Sequence, residues 1–191
     1  VSEEVAREAL GLIDVEIEPL PAVFELEAAP VAKTYDYEHG NVADGFREAE
    51  RVVEGTFRLP AQYHGCIGTA GVLAEWDARG RLTLTDPTQI PFLIQRDLAA
   101  ALGISPEDVR IVQPTIAGGF GARLDLYPHE VIAALLARAA GRPVRILFDR
   151  DEDFLTDPVR PRTIVRLRTG ARKDGRVVAR EADVIVDAGA Y

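Results

Sequence analysis

Hydrophobic and polar positions change their period along the chain, and these changes predict a mixture of strands and helices. Apolar and polar residues alternate over 12–18, which predicts a half-buried strand. Paired runs of this kind, joined by turn residues, predict hairpins over 70–86 and 163–186. Three further strands are predicted over 52–59, 109–113 and 144–148.

Helical periods and end signals predict four helices. Two short ones are expected over 2–10 and 42–50, and a third is bounded by Pro91 in its first turn and Gly103 after its last. The fourth, over 126–140, is apolar on nearly every side, which predicts a helix buried among other elements.

The order of these elements predicts an α/β (α+β) fold. The strand, helix and strand over 109–148 imply one β-α-β crossover, which is right-handed in nearly all proteins. The hairpins on either side imply antiparallel pairing, so we expect mixed β-sheets with packed helices.

Composition indicates a globular protein and narrows its partners. The chain has 191 residues, 47% hydrophobic, with a net charge of −9. Nucleic acid is therefore not expected, because phosphates need a basic face. No apolar run is long enough to span a bilayer, and the N-terminus lacks the features of a secretory signal.

The chain contains one cysteine, Cys66, and no methionine. A single cysteine excludes an internal disulfide framework and an internal iron–sulfur cluster, which needs about four thiolates. It also fits a reducing compartment, so we expect a cytoplasmic location. From the missing methionine we expect a processed or excised piece of a longer protein.

A glycine-rich stretch over 116–123 is the candidate site. Its glycines leave backbone N–H groups uncovered, so it could cradle an anion or let a ligand approach the main chain. A tight turn without a ligand is the alternative. The stretch lacks the endings of a P-loop and of a dinucleotide fingerprint.

Two other kinds of site are not expected. The three histidines are too scattered for a protein-ligated zinc, so no metal ligands are assigned. The acidic run over 149–153 is interpreted as a solvated turn with local arginine pairing rather than a cation site.

Several short motifs occur in a fixed order. They are Gln62-x-His64, Thr88-Gln89-x-Pro91, Gly118-Gly119-Phe120-Gly121, Gly141-Arg142-Pro143-Val144, the acidic run over 149–153, Gly175-Arg176-Val177-Val178-Ala179 and Asp187-Ala188-Gly189-Ala190-Tyr191. In this order they resemble the molybdopterin-binding large subunit of the xanthine dehydrogenase/aldehyde oxidase family of molybdenum hydroxylases. Residues 15–23 resemble the end of that family's α/β hammerhead domain. The resemblance thus makes 1–29 its tail and 30–191 the first part of the molybdopterin-binding domain.

The resemblance implies part of a catalytic subunit that oxidises an aldehyde or an N-heterocycle with water as the oxygen source. The expected cofactor is a molybdopterin, with its cytosine dinucleotide form as one alternative, whose dithiolene rather than the protein holds the metal. Iron–sulfur and FAD groups are expected on partner subunits or domains of a hetero-oligomer. The family's general base lies beyond Tyr191, so the chain alone should be inactive. A non-catalytic pterin- or nucleotide-binding or subunit-assembly module of the same fold is the alternative.

The resemblance also assigns roles to single positions. Gln62 matches a glutamine that hydrogen-bonds an oxo ligand of molybdenum, which suits a neutral amide donor. Gly118, Gly119, Phe120 and Gly121 match the loop whose backbone lies against the cofactor, with Phe120 screening the metal from water. The alternatives are a loop-satisfying amide for Gln62 and plain core for Phe120.

Two departures from the family pattern bear on the substrate. Arg123 and Leu124 stand where purine-oxidising members have Lys-Glu, so these two residues are expected near the substrate. The missing glutamate indicates that the substrate is not a purine. Gly68 stands where many members have glutamate, which resembles carbon monoxide dehydrogenase-like and nicotinate- or aldehyde-oxidising members. Cys66 is interpreted as a buried structural thiol rather than a copper-carrying one.

Overall fold

The computed structural model describes residues 2–189 and contains seven strands and five α-helices in that range. The strands are β1 (Arg51–Leu59), β2 (Gly71–Trp76), β3 (Leu82–Thr85), β4 (Val109–Val112), β5 (Val144–Leu147), β6 (Thr163–Ala171) and β7 (Val177–Val186). The helices are α1 (Glu3–Leu10), α2 (Val42–Glu48), α3 (Pro91–Leu102), α4 (Pro128–Ala140) and α5 (Arg150–Thr156). Single 3₁₀ turns cover Leu26–Ala28 and Pro106–Asp108. Ala190 and Tyr191 of the last motif lie outside the described residues.

A four-stranded sheet of order β4-β3-β2-β5 organises the larger half of the structure. Strand β2 pairs antiparallel with β3 and β5, whereas β3 and β4 are parallel. Strands β4 and β5 therefore run in the same direction at opposite edges, with α4 between them in sequence, which confirms the crossover over 109–148. A second crossover, through α3, joins the neighbouring strands β3 and β4. The predicted mixed fold is thus confirmed.

The hydrophobic core lies between this sheet and helices α3 and α4. Its buried members are Val72, Ala74, Leu82, Leu84, Ile94, Leu98, Ala99, Val109, Ala133, Ala134 and Ala137. The three alanines of α4 let the helix approach the sheet closely. Burial of each leucine or isoleucine contributes roughly 1.5–3 kcal/mol to folding.

The prediction that α4 is buried on every side is wrong, because residues 2–189 cover only one side of this helix. Ile132, Leu135 and Leu136 are 42–49% exposed, although the alanine face of the helix is inaccessible. The sheet provides a packing partner for one side only, so the opposite apolar side faces outward.

The smaller sheet is antiparallel and has the order β1-β6-β7. It confirms the predicted hairpin over 163–186, whose turn has Gly175 at a φ of 85°. Helix α2 packs on this sheet and is capped by Asn41, which accepts a hydrogen bond from the Asp44 amide at 3.0 Å.

The strand predicted over 12–18 is wrong. Residues 13–25 form no regular element, and Ile13, Val15 and Ile17 are 61–76% exposed. An alternating pattern forms a strand only beside another strand, and none of the described residues provides that edge. Helix α1, by contrast, is confirmed, with Ser2 capping the Val5 amide at 3.5 Å.

The acidic run over 149–153 begins helix α5 and does not form a turn, although Asp149, Asp151 and Glu152 are exposed and the predicted local arginine pairing occurs between Arg150 and Asp153. Asp149 accepts from the Glu152 amide at 2.8 Å, and Glu152 accepts from the Asp149 amide at 2.9 Å, which is a reciprocal capping box. Asp153 is fully buried. Across residues 2–189, no helix is both long enough and apolar enough to cross a bilayer.

Candidate cofactor-binding site

Three loops meet at one edge of the four-stranded sheet. This edge holds the carboxyl ends of β3, β4 and β5 and the start of the oppositely directed β2. The loop over 60–70 carries Gln62, the loop over 86–90 carries Gln89, and the glycine loop lies over 113–127. Ligands of α/β proteins commonly bind at the carboxyl ends of strands, so the topology itself indicates this edge.

The glycine loop has a backbone that few residues other than glycine adopt. Gly118 and Gly121 have φ values of 112° and 103°, and Phe120 has a φ of 52°. Phe120 is the only non-glycine residue with positive φ within residues 2–189. Such a conformation stores of order 1–3 kcal/mol of strain and is found most often at ligand sites. The Phe120 ring is 71% exposed, so within the described residues it is not plain core.

The glycines are also required by contacts with the neighbouring loops. A Cβ on Gly119 would lie 2.6 Å from Gln89 Oε1, and one on Gly118 would lie 3.2 Å from the Cys66 backbone. The Gly121 amide donates to Gln89 Oε1 at 3.1 Å. Gln89 thus supports the loop directly, a role that its motif with Thr88 and Pro91 could have suggested.

Residues 66–68 form the floor of the glycine loop. Cys66 is buried, as predicted, and its Sγ lies 3.5 Å from the carbonyl oxygen of Gly119. The Gly68 amide donates to the carbonyl of Ala117 at 3.0 Å. A side chain at Gly68 would collide with Ala117, its Cβ lying 2.7 Å from that of the alanine. Glycine at 68 therefore has a packing reason in this chain.

The buried Arg123 links the glycine loop to the loop over 60–70 by hydrogen bonds. It is 8% exposed, and its guanidinium donates to the carbonyls of Gly68 at 2.7 Å and Gly118 at 3.3 Å. The backbone carbonyl of Arg123 accepts a hydrogen bond from the backbone N–H of Gln89 at 3.0 Å. Of the pair predicted near the substrate, Arg123 points into the loop interface and Leu124 keeps an exposed side chain.

Gln62 presents a free amide two residues before His64, whose Nε2 would lie 3.5 Å from a Cβ on Gly121. Its backbone exchanges two hydrogen bonds with Arg160, at 3.0 and 2.8 Å, in an isolated antiparallel bridge. The side chain is exposed and has no hydrogen bond within the described residues. Because the bridge already satisfies the backbone, the amide is not needed to stabilise its own loop.

A small polar cavity of about 10 Å³ lies under the glycine loop. It is lined by Ala70, Asp86, Thr88, Ala122, Arg123, Asp125, Tyr127, His129, Glu130 and Asp157. One carboxylate oxygen of Asp86 and one of Asp157 are buried without a partner. The volume admits a single water. Residues 2–189 contain no cluster of three His, Cys, Asp or Glu that could hold a metal ion.

Burial dominates the protonation of the groups around this cavity. It raises the pKa of Asp86 to about 6, against the opposing charge of Arg123. It raises the pKa of Glu130 to about 8, with further repulsion from Asp86. Burial also lowers the pKa of His129 to about 4, so this ring is neutral at physiological pH. No local pattern in the sequence indicates this cluster, since Asp86 follows β3 whereas His129 and Glu130 lie in the first turn of α4.

The profile of the molybdopterin cofactor-binding domain matches residues 25–191, so the chain belongs to that family. The resemblance inferred from the ordered motifs is thereby confirmed.

Individual relatives agree with this assignment. The chain is 30% identical to the nicotinate dehydrogenase large molybdopterin subunit of Eubacterium barkeri, over 98% of the chain and 47% of that protein. It is 32% identical to a probable xanthine dehydrogenase subunit of Bacillus subtilis (strain 168), over 100% of the chain and 27% of that protein. Quinoline 2-oxidoreductase from Pseudomonas putida 86 superimposes with a TM-score of 0.83 at 32% identity, over 100% of the chain and 26% of that structure. The chain thus spans less than half the length of these relatives.

The residues present fit a molybdopterin. The site offers main-chain groups of a glycine loop, one free amide and an exposed aromatic ring. Such a set suits a metal that is carried by its own organic ligand. The roles of Gln62, Gly118, Gly119, Phe120, Gly121, Arg123 and Leu124, and the hammerhead assignment of 1–29, stay predictions.

Proposed function

We propose that the chain forms one wall of the molybdopterin site in the catalytic subunit of a molybdenum hydroxylase. The substrate is an aldehyde or an N-heterocycle, and water supplies the oxygen. The observation that carries this proposal is the strained Gly118–Gly121 loop at the carboxyl ends of the strands of a molybdopterin-domain chain, with the free Gln62 amide on the loop over 60–70 that packs against it. Relatives named for nicotinate and quinoline support an N-heterocycle.

Each residue has a separate task in this proposal. The Gln62 amide would donate a hydrogen bond to an oxygen of the bound cofactor, which a neutral donor can do without protonating it. The backbone from Gly118 to Gly121 would lie against the cofactor, and the exposed Phe120 ring would keep water away from it. When bound, the molybdenum cofactor supplies the two-electron oxidation. The general base comes from a part of the longer subunit outside this chain.

The pair after the glycine loop favours a non-purine substrate. The Arg123 guanidinium is engaged by the carbonyls of Gly68 and Gly118, so it is not free to bind a substrate. Leu124 then offers an apolar side chain to the substrate pocket. An apolar wall favours an aldehyde or a simple aromatic heterocycle over a polar purine.

Electron-transfer groups belong to the same proposal. Iron–sulfur and FAD groups lie on partner subunits or domains of a hetero-oligomer, as the family resemblance implies, and the one buried cysteine of this chain cannot itself hold a cluster. The cofactor is molybdopterin itself or its cytosine dinucleotide. Analysis of the nucleotide released from the purified enzyme distinguishes the two forms.

The proposal is tested by Gln62→Ala in the intact enzyme. We expect kcat to fall at least roughly tenfold, the loss of about one transition-state hydrogen bond, with unchanged molybdenum content and melting temperature. Gln95→Ala is the control, since this amide donates to the carbonyls of Pro106 and Val109 at the amino end of β4, opposite the edge that holds the site. It should keep kcat and lose some stability.

Two results would contradict the proposal. An unchanged kcat in Gln62→Ala would remove the role assigned to that amide. A purified natural complex with neither molybdenum nor pterin would favour a non-catalytic binding or assembly module instead.

A further inference from the structure

Helix α5 makes hydrogen bonds to the segment over 62–70, which begins with Gln62. Arg150 Nη1 donates to the carbonyl of Cys66 at 3.0 Å, and Nη2 donates to the carbonyl of Ile67 at 2.6 Å. The guanidinium thus grips two successive carbonyls, a geometry that its rigid fork allows and a lysine ammonium does not.

Asp153, one turn further along α5, fixes both ends of the same segment. Its fully buried carboxylate accepts from the Ala70 amide at 2.6 Å and from the hydroxyl of Tyr63, the residue after Gln62. Arg150 Nη1 lies 3.0 Å from its second oxygen. A buried carboxylate needs such a partner, because an unpaired charge in the interior costs several kcal/mol.

The contacts continue from this segment into the glycine loop. Cys66, whose carbonyl Arg150 holds, packs its Cα against Gly118 and its Sγ against the carbonyl of Gly119. The Tyr63 ring also lies 4.4 Å from that of Phe154 on α5. A shift of α5 would therefore be passed to Gln62 on one side and to Gly118 on the other.

We propose that Arg150 and Asp153 are positioning residues of the cofactor site. They set where the Gln62 amide and the Gly118 backbone lie, without touching cofactor or substrate themselves. The inference rests on the proposed function, since it needs Gln62 to act on the cofactor. It gives the acidic run of α5 a task that its composition alone does not indicate.

The test is Arg150→Lys in the intact holoenzyme. Lysine keeps the charge beside Asp153 but cannot hold both carbonyls in the same geometry. We expect kcat to fall about ten- to a hundredfold, as misplacement of a catalytic group by about 1 Å can cause. KM, molybdenum content and pterin content should stay near wild type. The Mo(V) electron paramagnetic resonance spectrum should shift, which a purely structural role would not produce.

Asp151→Asn is the matched control. Asp151 lies next to Arg150 on the same helix, and its exposed carboxylate makes no hydrogen bond within residues 2–189. This variant should keep both kcat and the Mo(V) spectrum. A Mo(V) shift of equal size in the control would overturn the assignment to Arg150.

Combination with Gln62→Ala decides whether Arg150 acts through Gln62. If it does, the double variant is no slower than Gln62→Ala alone, because effects that share one path are not additive. Fully additive losses would overturn the inference, as would a normal Arg150→Lys beside a slow Gln62→Ala. An unchanged kcat in Gln62→Ala itself would instead overturn the proposed function, and the inference with it.

Tyr63→Phe keeps the test decisive if Arg150→Lys fails to fold. It removes only the hydroxyl that Asp153 accepts and leaves the ring on Phe154. We expect a two- to fivefold loss of kcat, about 0.4–1 kcal/mol, and the same non-additivity with Gln62→Ala. A wild-type kcat and Mo(V) spectrum in folded Tyr63→Phe would overturn the inference.

Discussion

Among single residues, Glu130 occupies the least ordinary environment. It is 3% exposed, accepts from the Tyr127 amide at 2.6 Å, and faces Asp86 across the cavity. Burial raises the pKa of Glu130 to about 8, against the opposing charge of Arg123. Protonation therefore favours the folded state, and this contribution is complete below about pH 4.5 and is lost as pH rises through 8.

Glu130→Gln should remove much of that pH dependence. The amide keeps an oxygen for the Tyr127 amide and carries no charge at any pH. We expect the unfolding free energy of the intact subunit to gain about 2–4 kcal/mol over wild type at pH 8.5, and little at pH 4.5. Urea unfolding at both pH values measures this, with the exposed Glu107→Gln as control. Parallel pH curves for wild type and Glu130→Gln would contradict it.

Residue-level sequence patterns predict the unusual backbone of the glycine loop and the buried Cys66, because these signals are local. The role of Gln62 at the cofactor, which the ordered motifs imply, stays a prediction. The inward turn of Arg123 was not recognisable. Its partners are the carbonyls of Gly68 and Gly118. Every residue has a backbone carbonyl, so the sequence does not indicate which carbonyls accept a hydrogen bond from a side chain.

At the scale of elements, the success of a prediction depended on where its signal lies. The hairpin of β2 and β3 and the ends of α3 follow from turn residues, Pro91 and Gly103, all within a few positions. The capping box of Asp149 and Glu152 is also a local signal. The neighbouring charged residues favour the interpretation of this run as a turn rather than as the start of a helix. The strand over 12–18 failed because pairing needs a neighbour that no local pattern provides.

The loops of the site depend on each other's packing, which Gly119→Ala tests. The new Cβ would lie 2.6 Å from Gln89 Oε1 and displace the group that accepts from the Gly121 amide. We expect the intact subunit to lose about 1–3 kcal/mol of stability and much of its molybdenum. Denaturant unfolding and metal analysis measure the two losses.

A second substitution separates packing from cofactor approach. Gln89→Ala in the Gly119→Ala background removes the collision, so part of the stability should return. Molybdenum content should stay low if the loop backbone must also lie against the cofactor. Recovery of both quantities would mean that Gly119 serves packing alone.

At the scale of the whole molecule, one face of helix α4 is apolar and exposed. Helix α4 has alanines on the sheet side and Ile132, Leu135 and Leu136 on the outer side. An apolar helix face of this kind is normally covered by other structure. The chain spans less than half the length of the nicotinate and xanthine dehydrogenase subunits named above, so we expect other parts of a longer subunit to cover this face.

Leu136→Glu tests this expectation in the intact subunit. A covered leucine replaced by a charge leaves an unpaired carboxylate in an apolar contact, so the melting temperature should fall by an amount equivalent to about 3–5 kcal/mol of stability. Leu136→Met is the matched control, because it conserves volume and should cost less than about 1.5 kcal/mol. Differential scanning calorimetry measures both. If the glutamate variant melts like wild type, the outer face of α4 is exposed to solvent in the subunit too, and its apolar residues need another explanation.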